Sequence, residues 1–242
     1  MLKTLESTSN YFGHNCLETA YEDNNIIIVV KPPGILTHSA PGKHQRTLTT
    51  LVNNYLSDKG EPSEGFHASS CHRLDFNTAG LVIFAKNKES LGTMKKFFQN
   101  RQIKKYYRCL VKGIPKPHQA ELCHFHLMDQ LNNYARIFDN MVPGACEIIT
   151  RYKVLNSRNM LSLLEIELVT GKTHQIRAHL AHIGHPILGD RKYGIPSFNR
   201  KWNVNFQALQ SFKIIFDFEN GGILDYLKGK EVVIPVKFKT KL

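Results

Sequence analysis

An aspartate stands among basic and amide side chains just before an apolar stretch of the chain. Asp75 follows His72 and Arg73 and precedes Asn77, and the apolar residues 81–85 come shortly afterwards. A carboxylate held beside a cation stays ionised and can act as a nucleophile or as a general base. Aspartate also shapes turns through hydrogen bonds to its own backbone. This stretch alone therefore fits either a catalytic carboxylate or a turn residue.

Arg177 is a second candidate for chemistry, because it borders an apolar stripe. Ile176, Leu180 and Ile183 have the spacing of one helix face. An arginine at such an edge can keep its stem buried and extend its charged end to solvent. It can also pair with a buried acid, since the planar guanidinium matches a carboxylate. The sequence leaves both interpretations open.

The twelve histidines raise the question of a metal site. Those with suggestive spacing lie on two predicted elements, His174, His179, His182 and His185 along a helix, and His124 and His126 on one face of a strand. Zinc enzymes usually combine helical histidines with an acid at matching spacing. Residues 170–189 contain no acid. We therefore predict no metal site.

The charge of the chain favours a polyanionic partner. Thirty-two Lys and Arg against twenty Asp and Glu leave a formal net charge of +12. Residues 95–116 contain many basic side chains and no acid, with Phe97, Phe98, Tyr106 and Tyr107 among them. Such a run can be a solvated helix face followed by a strand. Together with the overall surplus, it favours a nucleic-acid surface.

Composition and length narrow the class of protein. The 242 residues suffice for one large domain or two small ones. No apolar run approaches the ~20 residues of a membrane-spanning helix, and the first residues contain no apolar signal core. The five cysteines are scattered, without a C-x-x-C pair. We expect a cytoplasmic protein with no membrane association.

Hydrophobic periodicity predicts many strands and few helices. Strands are expected at residues 26–30, 81–85, 106–111, 146–155, 160–169, 206–218 and 232–238. Helices are expected at 48–56, at 88–99 opened by Asn87, and after a cap at Thr173. A four-residue turn, 156–159, separates two of the strands. The pattern predicts an α+β fold with a largely antiparallel sheet, and no nucleotide-binding loop is present.

Four blocks of the sequence together resemble the RluA-type pseudouridine synthases. His72-Arg73-Leu74-Asp75, followed by Asn77-Thr78-Ala79-Gly80-Leu81, is similar to the family motif H-R-L-D-x-x-T-S-G-L. The other blocks agree in order and spacing: residues 21–34 with the opening strand and turn, 105–113 with K-x-Y-x-x-x-V-x-G, and 170–190 with T-G-R-T-H-Q-I-R…G-H-P…G-D. The tail through residues 222–226 resembles the bacterial, clostridial-type branch.

The resemblance implies a single catalytic domain over residues 1–242, with a short N-terminal extension at 1–20. Its fold would be a mixed, mostly antiparallel sheet flanked by helices, with a central RNA-binding cleft. Many relatives carry a further N-terminal RNA-binding domain, which we expect this chain to lack. The implied activity is the isomerisation of uridine to pseudouridine in RNA, without cofactor or metal.

The resemblance also assigns roles to residues. Asp75 would be the catalytic carboxylate, attacking the nucleotide covalently or removing a ribose proton, with Arg177 as its partner. Tyr107 would stack on the base and help to move the proton from carbon 5, and Arg73 would fill the stack that the flipped base leaves. Further RNA contacts would come from His72, Thr78, Lys105, Lys172, His174, Lys95, Lys96 and Lys104.

Some positions differ from the family pattern. Phe76 and Ala79 stand where relatives often have Arg and Ser, Lys172 replaces a common Arg, and residues 206–208 replace a frequent Leu-His-Ala.

The family pattern does not define the target RNA. We expect a monomer that acts on large-subunit ribosomal RNA, with transfer RNA as the second option. A noncatalytic RNA-binding or ribosome-assembly module is the alternative function. A metal-dependent nuclease would need an acid cluster that the sequence lacks.

Overall fold

A computed structural model describes residues 17–39, 46–60, 65–204 and 206–238. Within these ranges the strands are β1 (Thr19–Glu22), β2 (Ile26–Lys31), β3 (Ser69–Ser70), β4 (Ala79–Ala85), β5 (Ile103–Lys112), β6 (Gln119–Asp129), β7 (Tyr134–Phe138), β8 (Cys146–Arg158), β9 (Leu161–Leu168), β10 (Leu209–Phe216) and β11 (Glu231–Val233). The α-helices are α1 (Leu48–Asp58), α2 (Lys88–Gln99), α3 (Gln175–His182) and α4 (Pro196–Trp202), and a 3₁₀ helix spans Gly222–Leu227. Among these described helices, none combines the length and apolar character needed to cross a membrane. The predicted extension, residues 1–20, lies mostly outside the described ranges.

The described strands form one mixed sheet. Their order is β1-β2-β4-β10-β5-β9-β8-β6-β7, with β11 paired to β10 and β3 paired to β4. β10 runs parallel to β4 and antiparallel to β5, and the remaining described strand pairs are antiparallel. This confirms the α+β class with a mostly antiparallel sheet.

Side-chain alternation along the strands divides the interior into two main cores. In β2, Ile27 and Val29 belong to one core, while Ile26 and Ile28 belong to the other. The first core is completed by α1 and α3, and the second by α2 and the 3₁₀ helix. The sheet is therefore covered by helices on both sides, and α3, which carries Arg177, packs on the face that also buries Tyr107.

Most predicted elements are confirmed, and three of the differences have identifiable physical reasons. The predicted turn at 156–159 is a two-residue turn at Asn159 and Met160, both with positive φ, so β8 continues to Arg158. The predicted strand at 232–238 ends at Val233, shortly before Pro235, which has no N–H for the ladder. The α3 cap is His174, in the left-handed region with φ 58°, and not Thr173.

One glycine permits the parallel contact at the centre of the sheet. Gly80, with φ +116°, lies in β4 opposite Ser211 of β10. A β-carbon at this position would overlap the backbone of Ser211. The glycine of the Asp75 motif therefore allows β4 to lie directly against β10, which in turn pairs with the strand that carries Tyr107.

Candidate active site

Asp75 lies between β3 and β4, at a cleft of about 590 Å³. Its backbone carbonyl accepts a hydrogen bond from Thr78 N at 3.0 Å, so the residue does form part of a turn. Its side chain does not close that turn, because Oδ2 accepts a hydrogen bond from Nη1 of Arg177 at 2.9 Å. Among the described residues that line the cleft, Asp75 is the only acid.

Arg177 is buried, at 8% exposure, and does not extend to solvent. Its Nε and Nη2 donate to the two carboxylate oxygens of Asp190 at 2.7 and 3.0 Å, while Nη1 donates to Asp75. The guanidinium carbon also lies 5.1 Å from the ring centroid of Tyr193. The planar group therefore bridges two carboxylates in a fixed orientation.

Asp190 is a site residue that we did not single out from the sequence. Burial alone would raise its pKa, but hydrogen bonds from Arg177, the charge of Arg177, and the backbone N–H groups of Tyr193 and Lys192 hold the pKa below its ordinary value. The carboxylate is thus ionised and locked. In the sequence, Asp190 belongs to the Gly-Asp pair at the end of the block 170–190 that resembles the family pattern. That pair by itself does not indicate a contact with Arg177.

Tyr107 projects from β5 into the same cleft and is 4% exposed. Burial raises the pKa of its phenol well above the ordinary value, and the negative charge of Asp75 adds to the effect. The hydroxyl is therefore protonated at neutral pH and available as a hydrogen-bond donor. The cleft brings together all three predicted catalytic side chains, Asp75, Tyr107 and Arg177.

Lys31 binds the backbone of the loop that carries Asp75, and it is a second site residue that we did not single out from the sequence. Its fully buried Nζ donates to the carbonyls of Pro32, Ile35 and Phe76 at 2.9–3.0 Å. Burial lowers the pKa of Lys31 to about 7, although the charge of Asp75 opposes this shift. The sequence signal was a lysine between a buried strand and Pro32, a position that does not by itself indicate a buried side chain.

The predicted RNA contacts divide into two groups. Six of them line the cleft: His72, Arg73, Thr78, Lys105, Lys172 and His174. Arg101, which was not predicted as a site residue, lines it as well. Lys95, Lys96 and Lys104 are not among the described residues that line it. Lys104 alternates with Lys105 along β5 and pairs with Asp217 at 2.7 Å.

Several cleft residues also have structural partners. Nε2 of His72 accepts a hydrogen bond from Ile83 N at 3.1 Å, and burial followed by the charge of Lys105 lowers the pKa of His72 to about 3. Thr78 accepts a 2.6 Å hydrogen bond from Gln207. Burial lowers the pKa of Lys105 to about 8. His72 and Thr78 therefore hold the loop in place, and their RNA contacts remain predictions.

His174 joins the site at the start of α3. Its Nδ1 is 3.0 Å from the hydroxyl of Tyr193, and its Nε2 is 4.0 Å from Oδ2 of Asp75. Burial lowers the pKa of His174, an effect that Asp75 opposes and Arg177 reinforces. A neutral imidazole thus lies beside the carboxylate without forming a second strong ion pair with it.

A separate histidine group lies outside the cleft. Among the described residues, His124, Asp139 and His182 place one potential ligand atom each within 4.8 Å of one another. None of the three is among the described side chains that line the cleft.

Comparison of the chain with known proteins identifies a family. Residues 25–182 match the family model described as RNA pseudouridylate synthase. The chain belongs to the RNA pseudouridylate synthase family. The family inferred from the sequence blocks is thereby confirmed. The fold agrees, since a human RNA pseudouridylate synthase domain containing 4 superimposes with a TM-score of 0.72 at 21% identity, covering 91% of this chain and 88% of that one.

Curated relatives in this family include proteins named for different RNAs. An uncharacterized RNA pseudouridine synthase of Aquifex aeolicus is 35% identical over 73% of this chain, which spans 56% of the relative's length. The ribosomal large subunit pseudouridine synthase D of Buchnera aphidicola is 32% identical over 83% of this chain and 65% of its own. The tRNA pseudouridine synthase C of Vibrio cholerae is 30% identical over 79% of this chain and 80% of its own.

Proposed function

We propose that this chain is an RNA pseudouridine synthase whose catalytic carboxylate is Asp75. The observation that carries the proposal is the 2.9 Å contact between Asp75 and Arg177, in a basic cleft whose described lining contains no other acid. Family membership supports the reaction class. The arrangement provides a carboxylate oriented by Arg177 and a buried phenol in the same cleft, as the reaction requires.

The reaction exchanges one bond to the ribose for another. The bond between ribose C1′ and uracil N1 breaks, the base turns, and C1′ becomes bonded to C5. The hydrogen on C5 leaves, and N1 gains one, so the product is an isomer of uridine. A carboxylate serves either by bonding transiently to the nucleotide or by removing a ribose proton, and both routes need Asp75 ionised and held in line.

Three further cleft residues have separate roles in this proposal. Tyr107, protonated and buried, supplies a ring for the uracil to stack on and a hydroxyl that relays the proton leaving C5. Arg177 acts on the reaction through Asp75, because its own position is fixed by Asp190. The exposed Arg73 at the cleft is suited to occupy the stack that the flipped uridine leaves.

The proposed substrate is ribosomal RNA of the large subunit, with transfer RNA as the second option. The surplus of positive charge and the basic lining of the cleft suit a phosphate backbone. The names of the relatives include both RNAs. We further propose that the chain works in the cytoplasm as a monomeric catalytic domain.

Release of label from RNA that carries tritium at C5 of uridine tests the activity. Wild-type protein should release the label from ribosomal or transfer RNA. Asp75→Asn should release none above background while keeping its melting temperature and RNA affinity, because removal of a nucleophile or base commonly lowers rates by several orders of magnitude. Asp129→Asn, an acid outside the cleft, is the matched control.

The outcomes distinguish the two candidate functions. Tight RNA binding without label release, from wild type and Asp75→Asn alike, would support the noncatalytic RNA-binding module instead. Normal folding with more than a tenth of wild-type turnover in Asp75→Asn would refute the catalytic assignment. Pseudouridine mapping in a deletion strain then identifies the RNA and the uridine.

A further inference from the structure

Three side chains from separate elements converge near the end of α3, outside the described lining of the cleft. His124 comes from β6, His182 ends α3, and Asp139 follows β7. Nε2 of His182 is 2.7 Å from Oδ1 of Asp139, and Nε2 of His124 is 3.6 Å from the same oxygen. The prediction of no metal site rested on the lack of an acid near the helical histidines in the chain. Asp139 supplies that acid from another element.

The spacing of these atoms matches that of ligands around a small tetrahedral ion. Zinc–nitrogen and zinc–oxygen bonds of about 2.0–2.1 Å place neighbouring ligand atoms roughly 3.3 Å apart. The observed separations of 2.7 and 3.6 Å bracket that value. A small rotation of the Asp139 side chain, which is 74% exposed, would adjust both separations.

His179 provides the hydrogen bond that a metal-binding histidine needs on its other nitrogen. Nδ1 of His124 is 2.8 Å from Nε2 of His179, whose Nδ1 is 2.9 Å from the hydroxyl of Thr150. When His124 donates from Nδ1 to His179, its Nε2 lone pair points toward Asp139 and is free to bind a cation.

We propose that His124, His182 and Asp139 form a Zn²⁺ site, with water in the remaining coordination position. Two imidazoles and a carboxylate are a ligand set that zinc favours. The ion would join the end of α3 to the β6–β7 hairpin. It lies outside the cleft and takes no part in the isomerisation, so the expectation of metal-free chemistry is unaffected.

An ion pair alone is a weaker explanation of the arrangement. A carboxylate as exposed as Asp139 gains little from a single histidine, because solvent screens the pair. The His124 ring centroid also lies 5.0 Å from both the His179 and the His182 centroids. Three imidazole rings and one carboxylate thus lie together, and a single cation bound by Asp139 and two of the rings accounts for this clustering.

Calorimetric titration of the full chain with ZnCl₂, after chelator treatment and dialysis, tests the site. Wild type should show one saturable site. Asp139→Asn and His182→Ala should each bind Zn²⁺ about tenfold more weakly or worse, since each removes one of three protein ligands. His118→Ala, which removes an exposed histidine outside the group, should bind like wild type. Circular dichroism confirms that each variant is folded.

Co²⁺ gives an independent readout, because tetrahedral coordination produces visible absorption bands. Wild type and His118→Ala should show these bands on titration with Co²⁺, and Asp139→Asn should lose them. The proposal is overturned if wild type has no saturable Zn²⁺ site, or if Asp139→Asn and His182→Ala bind Zn²⁺ as tightly as wild type.

Discussion

Arg177 holds Asp190 through Nε and Nη2, at 2.7 and 3.0 Å, and this two-pronged contact determines where its remaining nitrogen points. Nη1 then reaches Asp75 at 2.9 Å. Asp190 has a fully buried side chain and also accepts hydrogen bonds from two backbone N–H groups. The arginine is thus oriented before any substrate arrives, and Asp75 receives a hydrogen bond with a preset direction.

Substituting Arg177 should separate orientation from charge. Arg177→Lys keeps a cation but cannot donate to both carboxylates in one plane, so we expect turnover to fall about 10²-fold. Arg177→Met leaves Asp190 buried without its cation and should cost about 3–5 kcal/mol in the free energy of unfolding. Label release and denaturant unfolding of both variants measure the two effects.

Arg136→Lys serves as a control for that pair, because Arg136 is an exposed arginine on β7 outside the cleft. It should match wild type in both measurements. Near-normal turnover in Arg177→Lys and Arg177→Met would remove the arginine from the catalytic arrangement.

Asp190→Asn should lower stability in a pH-dependent manner. The pKa of Asp190 is lower in the folded protein than its ordinary value, so the unfolded chain binds more protons near that pKa. Its contribution is then fully present above about pH 4 and is lost as the pH falls through the folded pKa. We expect a loss of about 3–5 kcal/mol at pH 7 and a smaller difference from wild type at pH 3.

Unfolding in urea at pH 7, 4 and 3 checks this expectation. A difference between wild type and Asp190→Asn that stays constant over these pH values would mean that the ionised pair with Arg177 is not its source.

The glycine at the centre of the sheet should resist substitution, unlike a helical glycine. Gly80→Ala would place a β-carbon against the Ser211 backbone at a positive φ, and we expect a loss of about 3 kcal/mol or more. Gly92→Ala, in α2 with nothing within 4 Å of the new carbon, should stabilise by about 0.5–1 kcal/mol. Thermal unfolding compares the two, and equal effects would contradict the close approach of β4 and β10.

Cleft lysines should contribute more to RNA affinity than lysines elsewhere. Lys172 is exposed at the cleft, whereas Lys104 lies outside its described lining and pairs with Asp217. Lys172→Gln should weaken binding to all RNAs and reduce the slope of log K against log salt by about 1, as for one lost phosphate contact. Lys104→Gln should leave the slope unchanged. Binding isotherms at several salt concentrations decide this, and the reverse order would place the RNA on the other side of β5.

The predictable parts of the molecule are those that local sequence controls. The helix opened by Asn87 is confirmed as α2, with the Asn87 side chain accepting from Ser90 N at 2.8 Å. The buried strands β2 and β4 are confirmed, because continuous apolar runs bounded by turns determine them. His124 and His126 lie on one face of β6 as alternation requires, since both meet residues of the 173–179 segment.

The parts that escaped prediction depend on contacts between distant positions. Periodicity does not reveal that Asp190 lies against Arg177, or that Gln207 bonds Thr78 across 129 positions. The left-handed conformation of His174 is imposed by its surroundings in the fold, because its side chain makes no capping bond. Lys31 follows a buried strand, but only the structure reveals the three carbonyls that bind its ammonium group.

The position of β10 has a consequence for how the protein is synthesised. Residues 209–216 form the strand between β4 and β5, yet Leu209 follows its partner Cys109 in β5 by 100 positions and Gln210 follows its partner Ala79 in β4 by 131. While the nascent chain is still growing, β4 and β5 therefore each have an open edge, and no strand yet joins them within the sheet. The family match at residues 25–182 ends before this strand. Residues 209–216 must therefore be synthesised before β10 can join β4 to β5, so we expect the complete cleft to form only late in synthesis.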